Sequence, residues 1–174
     1  VLVERSATGP APLDITALRS ACDRTLDVEA CYAAFRAIGL SYGAAHRGLT
    51  SVQVGTDTAG QRFVLAQVTL PSCVRETSDQ YVLHPSVLDS ALQASIGLSL
   101  DTDPSDHGVK PSLPFALERL EILDRSPSLA WVQVRISESS SRTRGIQKLD
   151  VVIADEAGRV CVQLSGFTSR VLEG

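Results

Sequence analysis

The run Leu83-His84-Pro85-Ser86-Val87-Leu88-Asp89-Ser90-Ala91-Leu92-Gln93 sets a carboxyl and an amide four residues apart. On a helix that spacing lets the two side chains touch, so Gln93 can hold the Asp89 carboxyl in one orientation. A single oriented acid is the kind of group that transfers a proton in general acid–base catalysis. Pro85 suits a helix start, because its missing N–H would lack a partner there anyway, and His84 before it reads as a structural or capping histidine. At 100° per residue, Ser86, Asp89, Ser90, Gln93 and Gly97 share an arc of roughly 100°. Leu88, Ala91, Leu92, Ser95, Ile96 and Leu98 mostly cover the rest. A helix over 84–98 with that much apolar surface is expected to be buried on most sides, so its carboxylate needs a polar cleft or a partner. Spacing alone leaves a second reading open: an Asp in the first turns of a helix is often only a favourable charge at the positive end of the dipole.

The rest of the chain must position that acid. Residues 1–13, with Gly9-Pro10-Ala11-Pro12, read as a linker, and 14–174 as one domain. Asp14 can cap a short helix carrying Ile15, Leu18, Ala21 and Cys22 on one side. Asp27 can cap a second, with Val28, Cys31, Tyr32, Phe35 and Ile38 at helical spacing and Gly39 as its stop. The period then changes to two. Residues 48–56 and 61–70 read as strands joined by Asp57-Thr58-Ala59-Gly60. In the second strand Phe63, Leu65, Gln67 and Thr69 face one way, and Val64, Ala66, Val68 and Leu70 the other. A polar loop follows Pro71, and residues 100–111, holding His107, form another. Strands are expected at about 113–124, 129–138, 146–154 and 159–170, the last two joined by Asp155-Glu156-Ala157-Gly158. Two helices, two strands, one apolar helix and four strands describe an α+β chain. An antiparallel sheet wrapped around one long central helix, the hot-dog fold, satisfies that order because the helix needs covering.

At 174 residues the chain is long enough for one well-filled core and short for two domains. A net charge of −4 argues against nucleic acid, whose phosphates call for a basic face. No apolar run approaches the ~18 residues of a membrane span, and no charged-then-apolar leader opens the chain. Beginning Val1-Leu2-Val3-Glu4 and containing no Met, it reads as a piece excised from a longer polypeptide. Its four cysteines, Cys22, Cys31, Cys73 and Cys161, show neither a CxxC pair nor a His at metal spacing. Buried free thiols at Cys22 and Cys31, no metal and a reducing cytoplasm are the expectation.

Four segments, in order, resemble one family. Tyr42-Gly43-Ala44-Ala45-His46 is similar to the Tyr-Gly-Pro-x-Phe segment of polyketide synthase dehydratase domains. His84-Pro85 through Asp89 and Gln93 resembles their His-Pro-x-x-x-Asp-x-x-x-Gln segment. Leu113-Pro114-Phe115-Ala116-Leu117 resembles their Leu-Pro-Phe-x-Trp, and Gly166-Phe167-Thr168-Ser169-Arg170 their closing strand. The likeness runs from about Leu13 to Glu173. It departs at Ala44 for Pro, His46 for Phe and Leu117 for Trp, changes that would alter pocket shape or mark a divergent subgroup. The wording around Tyr42–His46 and 81–98 looks closest to synthases whose acyltransferases are separate proteins.

The resemblance implies a double hot-dog with its active site between two halves. Asp89 occupies the position of the catalytic Asp on the central helix of the second half. The family's catalytic His lies in the first half, in a His-x-x-x-Gly-x-x-x-x-Pro pattern that none of His46, His84 or His107 satisfies. The chain therefore resembles the C-terminal half alone. The implied reaction removes water from a 3-hydroxyacyl chain on the phosphopantetheine arm of an acyl carrier protein, with no other cofactor. The missing His takes the C2 proton and Asp89 protonates the departing C3 hydroxyl; an acid doing this near neutral pH needs a raised pKa, toward which apolar surroundings push it. Gln93, Tyr42, Gly43, Pro114 and Phe115 would line the substrate site, though Pro114 and Phe115 also read as plain core. Arg142, Arg144 and Lys148 could meet an acidic carrier, or form an ordinary solvated charge run. The implied partners are the carrier protein, the N-terminal half, neighbouring synthase domains and a second copy. Related double hot-dogs move double bonds, close pyran rings or support chain branching, and a non-catalytic structural half is a further alternative.

Overall fold

Two Asp residues start helices for the same reason. Asp14 Oδ1 accepts from the N–H of Ala17 at 2.9 Å and Asp27 Oδ2 from that of Ala30 at 3.0 Å, satisfying donors the first turn leaves open. The structure, a computed structural model, describes residues 9–101, 112–138 and 146–171. The helices so started are α1 (Ile15–Ser20) and α2 (Val28–Ala37). Gly39, at φ +87°, ends α2. Its N–H reaches the Arg36 carbonyl at 3.0 Å and that of Leu40 reaches Phe35 at 2.9 Å, the paired closure that a left-handed residue after a helix permits.

Eight antiparallel strands make one sheet: β1 (Cys22–Leu26), β2 (Leu49–Thr56), β3 (Arg62–Thr69), β4 (Ser112–Ala116), β5 (Arg119–Ile122), β6 (Leu129–Ile136), β7 (Ile146–Ala154) and β8 (Val160–Val171). Their order is β1-β2-β3-β6-β7-β8-β4, with β5 also pairing β8. Asp57 and Asp155 build the β2–β3 and β7–β8 turns alike. The side chain of each accepts the N–H groups two and four residues on, and Gly60 and Gly158 supply the positive φ that follows. One face of the sheet curls around α3 (Pro85–Gln93) and α4 (Ile96–Leu100), with Val52, Val64, Val68, Val132 and Val151 fully buried beneath them. This is the hot-dog arrangement. Each such valine contributes about 1.5–3 kcal/mol by leaving water. On the opposite face Phe63, Leu65 and Trp131 form a smaller cluster under Ile15 and Leu18 of α1, as the alternation of β3 requires.

The structure corrects the sequence reading in four places. The helix expected over 84–98 is split at Ala94–Ser95 and runs on to Leu100. Ser95 Oγ donates to the Leu92 carbonyl at 2.7 Å, and Ser95, Gly97 and Leu98 make i→i−3 bonds that tighten the chain there. The tightened turn lays Gly97 on the sheet, where a Cβ would stand 2.7 Å from Val64 Cγ2. Secondly, the small and polar arc, of which only the carboxylate is expected to need a cleft or a partner, is largely the helix's closest approach to its surroundings. Ser86, Ser90, Gln93 and Gly97 are buried, while Leu88 and Leu92 are half-buried. Ser90 Oγ accepts from the N–H of Gly48, whose missing Cβ makes the approach possible.

Thirdly, α1 stops before Cys22, and Cys22–Leu26 becomes an edge strand against β2. Asp23, Arg24 and Thr25 are all exposed, so no apolar alternation marks the strand. Fourthly, the single strand expected at 113–124 is β4 and β5, both on β8. At Gly166 (φ +64°) β8 bulges: its N–H donates to Asp150 Oδ1 at 2.9 Å, and the β7 register shifts there. The segment after Pro71 winds as 3-10 turns over Ser72–Gln80. Residues 1–8 of the expected linker, most of the 100–111 loop with His107, and Arg142 and Arg144 lie outside the described residues.

Candidate active site

Helix α3 opens on His84. The Nδ1 of His84 accepts from the Ser86 N–H at 3.1 Å, which leaves Nε2 to carry the ring proton toward Thr77 Oγ1 at 2.9 Å. Thr77 in turn donates to the Val74 carbonyl at 2.6 Å. His84 is 4% exposed, and burial pushes its pKa below the usual histidine value. It is thus a neutral cap, as its place before Pro85 suggested.

One turn along, Asp89 and Gln93 meet: Gln93 Nε2 donates to Asp89 Oδ2 at 3.1 Å. The amide orientation is dictated from both ends. The Leu49 backbone N–H can only donate, and it donates to Tyr32 Oη at 3.2 Å. That leaves the phenol proton for Gln93 Oε1, at 3.1 Å. At the other end the His46 carbonyl can only accept, and Gln93 Nε2 donates to it at 2.8 Å. Backbone groups therefore fix which end of the amide faces Asp89. Tyr32 is the component the sequence reading placed only on the apolar face of α2. Its hydroxyl on that face was the available signal, since a buried phenol usually finds a partner.

His46 closes the other side. Its Nδ1 lies 3.0 Å from Asp89 Oδ2, yet that buried nitrogen makes no directed hydrogen bond among the described residues. Distance and direction disagree here. The distance establishes a close charge contact whenever the ring is protonated, and the direction denies it the status of a formed hydrogen bond. His46 is held on a 3-10 turn, Ala44–His46, by its N–H to the Gly43 carbonyl at 2.9 Å.

Asp89 is 37% exposed at its side chain and borders a cavity of about 140 Å³. Phe35, Ile38, Leu40 and Tyr42 form one wall, Leu92, Gln93 and Ile96 the helix side, and Ser112, Pro114, Leu149 and Phe167 the sheet side. Tyr42 packs edge-on against Phe35 at 5.1 Å. Burial raises the pKa of the Tyr42 phenol, with the Asp89 charge adding to it, and burial likewise raises Tyr32. Both phenols therefore stay protonated near neutral pH. Arg47 stacks over the Tyr32 ring at 4.4 Å while pairing with Glu29. Of the residues singled out from sequence, Asp89, Gln93, Tyr42 and Pro114 border one cavity. Gly43 and Phe115 do not: Gly43 anchors the 3-10 turn, and Phe115, at the register shift between Pro114 and Ala116 on β4, is 69% exposed. Lys148 pairs with Glu118. All four cysteines are free, with Cys31 and Cys161 buried, Cys22 partly so and Cys73 exposed.

A sheet wrapped on a split helix, with an amide-held carboxylate at a hollow lined by both apolar side chains and Ser95, Ser99, Gln147 and Ser169, defines a hot-dog domain with an acid at its cavity. Residues 10–174 match the family model described as the polyketide synthase dehydratase N-terminal domain. The chain belongs to the polyketide synthase dehydratase family. It is 43% identical over 161 residues to polyketide synthase PksN of Bacillus subtilis (strain 168), covering 92% of this chain and 3% of that protein. The crystal structure of a trans-AT polyketide synthase dehydratase domain from Brevibacillus brevis superposes with a TM-score of 0.84 at 43% identity, covering 98% of this chain and 57% of that one. The dehydratase domain from the CurF module of curacin polyketide synthase shares the fold, with a TM-score of 0.80 at 22% identity. The chain thus spans a small fraction of the curated synthases it matches and little more than half of the solved dehydratases. Among the described residues, no helix is long and apolar enough to cross a membrane.

Proposed function

We propose that this chain is the second half of a double hot-dog dehydratase that removes water from a 3-hydroxyacyl chain carried by an acyl carrier protein, in the cytoplasm. Asp89 gives its proton to the departing C3 hydroxyl, and a base in the first half takes the C2 proton. The observation that carries this reading is the hold of Gln93 on Asp89 at the rim of the cavity. The acid is held by Gln93, approached by His46 and still open on one side toward a cavity with apolar walls at Phe35, Ile38, Leu92 and Ile96, an arrangement suited to a donor to a long acyl substrate. The family model is described by an N-terminal domain. The assignment to the second half rests instead on the His84-Pro85…Asp89…Gln93 run and on the lack of a His in the first-half pattern. The coverage of 57% of the Brevibacillus brevis chain leaves room for a partner half, and that likeness also favours a synthase with separate acyltransferases. The substrate rides on the carrier's phosphopantetheine arm, with no other cofactor.

Leu113, Phe115, Leu117, Leu120 and Ile122, on and between β4 and β5, are all 40% or more exposed. Such an apolar strip on an edge of a sheet is a surface another element covers, and we assign it to the first half. In the complete module, Asp89→Asn leaves the fold intact and lowers the rate of water loss, read by mass on a 3-hydroxyacyl carrier substrate, by about 10²–10⁴. Normal turnover by the folded variant refutes the assignment. Double-bond position and ring content of the wild-type product separate dehydration from isomerisation, cyclisation or branching.

A further inference from the structure

One buried side-chain nitrogen or oxygen lacks a hydrogen bond among the described residues: His46 Nδ1. Native structures seldom leave such an atom without a purpose. What it faces, at 3.0 Å, is Asp89 Oδ2. The same oxygen already receives the Gln93 N–H, whose direction is imposed by the Leu49 N–H and the His46 carbonyl. The backbone of His46 thus orients the amide while its ring approaches the carboxyl. Contacts of this kind are commonly misaligned before substrate binds and tighten afterwards.

We propose that His46 is a positioning residue for Asp89: with its proton on Nδ1, the ring donates to Oδ2 beside Gln93, so that the transferable proton of the acid resides on Oδ1. With two N–H groups directed at Oδ2, a proton on that oxygen would confront two donors, whereas Oδ1 carries it without conflict. The ring sits on a turn rather than on a rigid helix and is 45% exposed. It can therefore rotate into line as substrate fills the hollow. This inference rests on the reading of Asp89 as the proton donor. It goes beyond that reading by stating which oxygen acts and what selects it.

The test combines kinetics with spectroscopy. In the complete module, His46→Phe removes the donor and is expected to lower kcat about tenfold with KM unchanged, the size of one lost charge-assisted hydrogen bond. His46→Asn, whose amide nitrogen can stand near the position of Nδ1, restores most of kcat. Equal kcat for His46→Phe and wild type, or equal losses for the Phe and Asn variants, overturns the proposal. In this chain labelled with ¹⁵N-histidine, Asp89→Asn shifts the Nδ1 resonance of His46 and leaves that of His84 in place; an unmoved His46 resonance also overturns it. The two readings fail separately. An inactive Asp89→Asn beside a fully active His46→Phe sinks only the role of His46. An active Asp89→Asn with the resonance shift present sinks the proton-donor assignment while the pairing stands.

Discussion

The Tyr32 hydroxyl on α2 donates to Gln93 Oε1 on α3 across 61 positions of sequence, and this contact ties the helix bearing the acid to the one that walls the cavity. Tyr32 is only 3% exposed, and its oxygen also receives the Leu49 N–H. Tyr32→Phe keeps the ring and strands two buried polar groups. It should destabilise the fold by about 1–3 kcal/mol, read from the urea midpoint at constant m-value. An unchanged midpoint would show that the hydroxyl is dispensable.

The His84 cap makes stability depend on pH in a defined direction. Burial lowers its pKa in the folded state, so the unfolded chain binds the proton more readily. The contribution is complete above the unfolded histidine value of about 6.5 and is lost as pH falls through the lower folded value. Protonation also abolishes the Nδ1 lone pair that accepts from Ser86. His84→Asn, which retains a capping acceptor, should flatten this slope in denaturation curves taken on either side of about pH 6.5. A slope equal to wild type would place the titration elsewhere.

Gly97 marks where the split helix touches the sheet. A methyl group there meets both Val64 methyls and Val52 Cγ1, side chains that are themselves fully buried. Gly97→Ala therefore costs about 1–3 kcal/mol by overpacking, despite the better helix propensity of Ala. Thermal unfolding would expose the opposite sign if propensity won.

The apolar strip on β4 and β5 should make the isolated chain self-associate. Phe115→Glu, at the most exposed of those positions, places a charge in that strip and should lower the mean mass found by light scattering. A wild-type chain that remains monomeric at high concentration would contradict this reading of the surface.

Local chemistry in the sequence carried much of this architecture. The Asp caps, the Asp-x-x-Gly turns, the Gly39 stop and the alternation of β3 are each decided by residues within a turn of one another. The Asp89–Gln93 contact was legible for the same reason. What escaped depended on distant partners. Strand β1 exists because β2 offers it an edge, and its three central side chains, Asp23, Arg24 and Thr25, are exposed and polar. The break at Ser95 follows from a side-chain bond to the Leu92 carbonyl and from the room Gly97 leaves for Val64. Tyr32 joins the site through partners 17 and 61 residues away, so helical spacing could show its face but not its task.

The bend at Gly166 governs the far wall of the hollow. By turning there, one strand offers its first stretch to Ile122 and its last to Ser112 and Pro114, and those last two residues overhang the cavity. The dihedral is one that side chains resist, and a Cβ would collide with Glu118. The shape of the chamber opposite the acid is consequently written in main-chain torsion rather than in the residues that line it, so reshaping it by exchanging lining side chains alone would leave its roofline where it is.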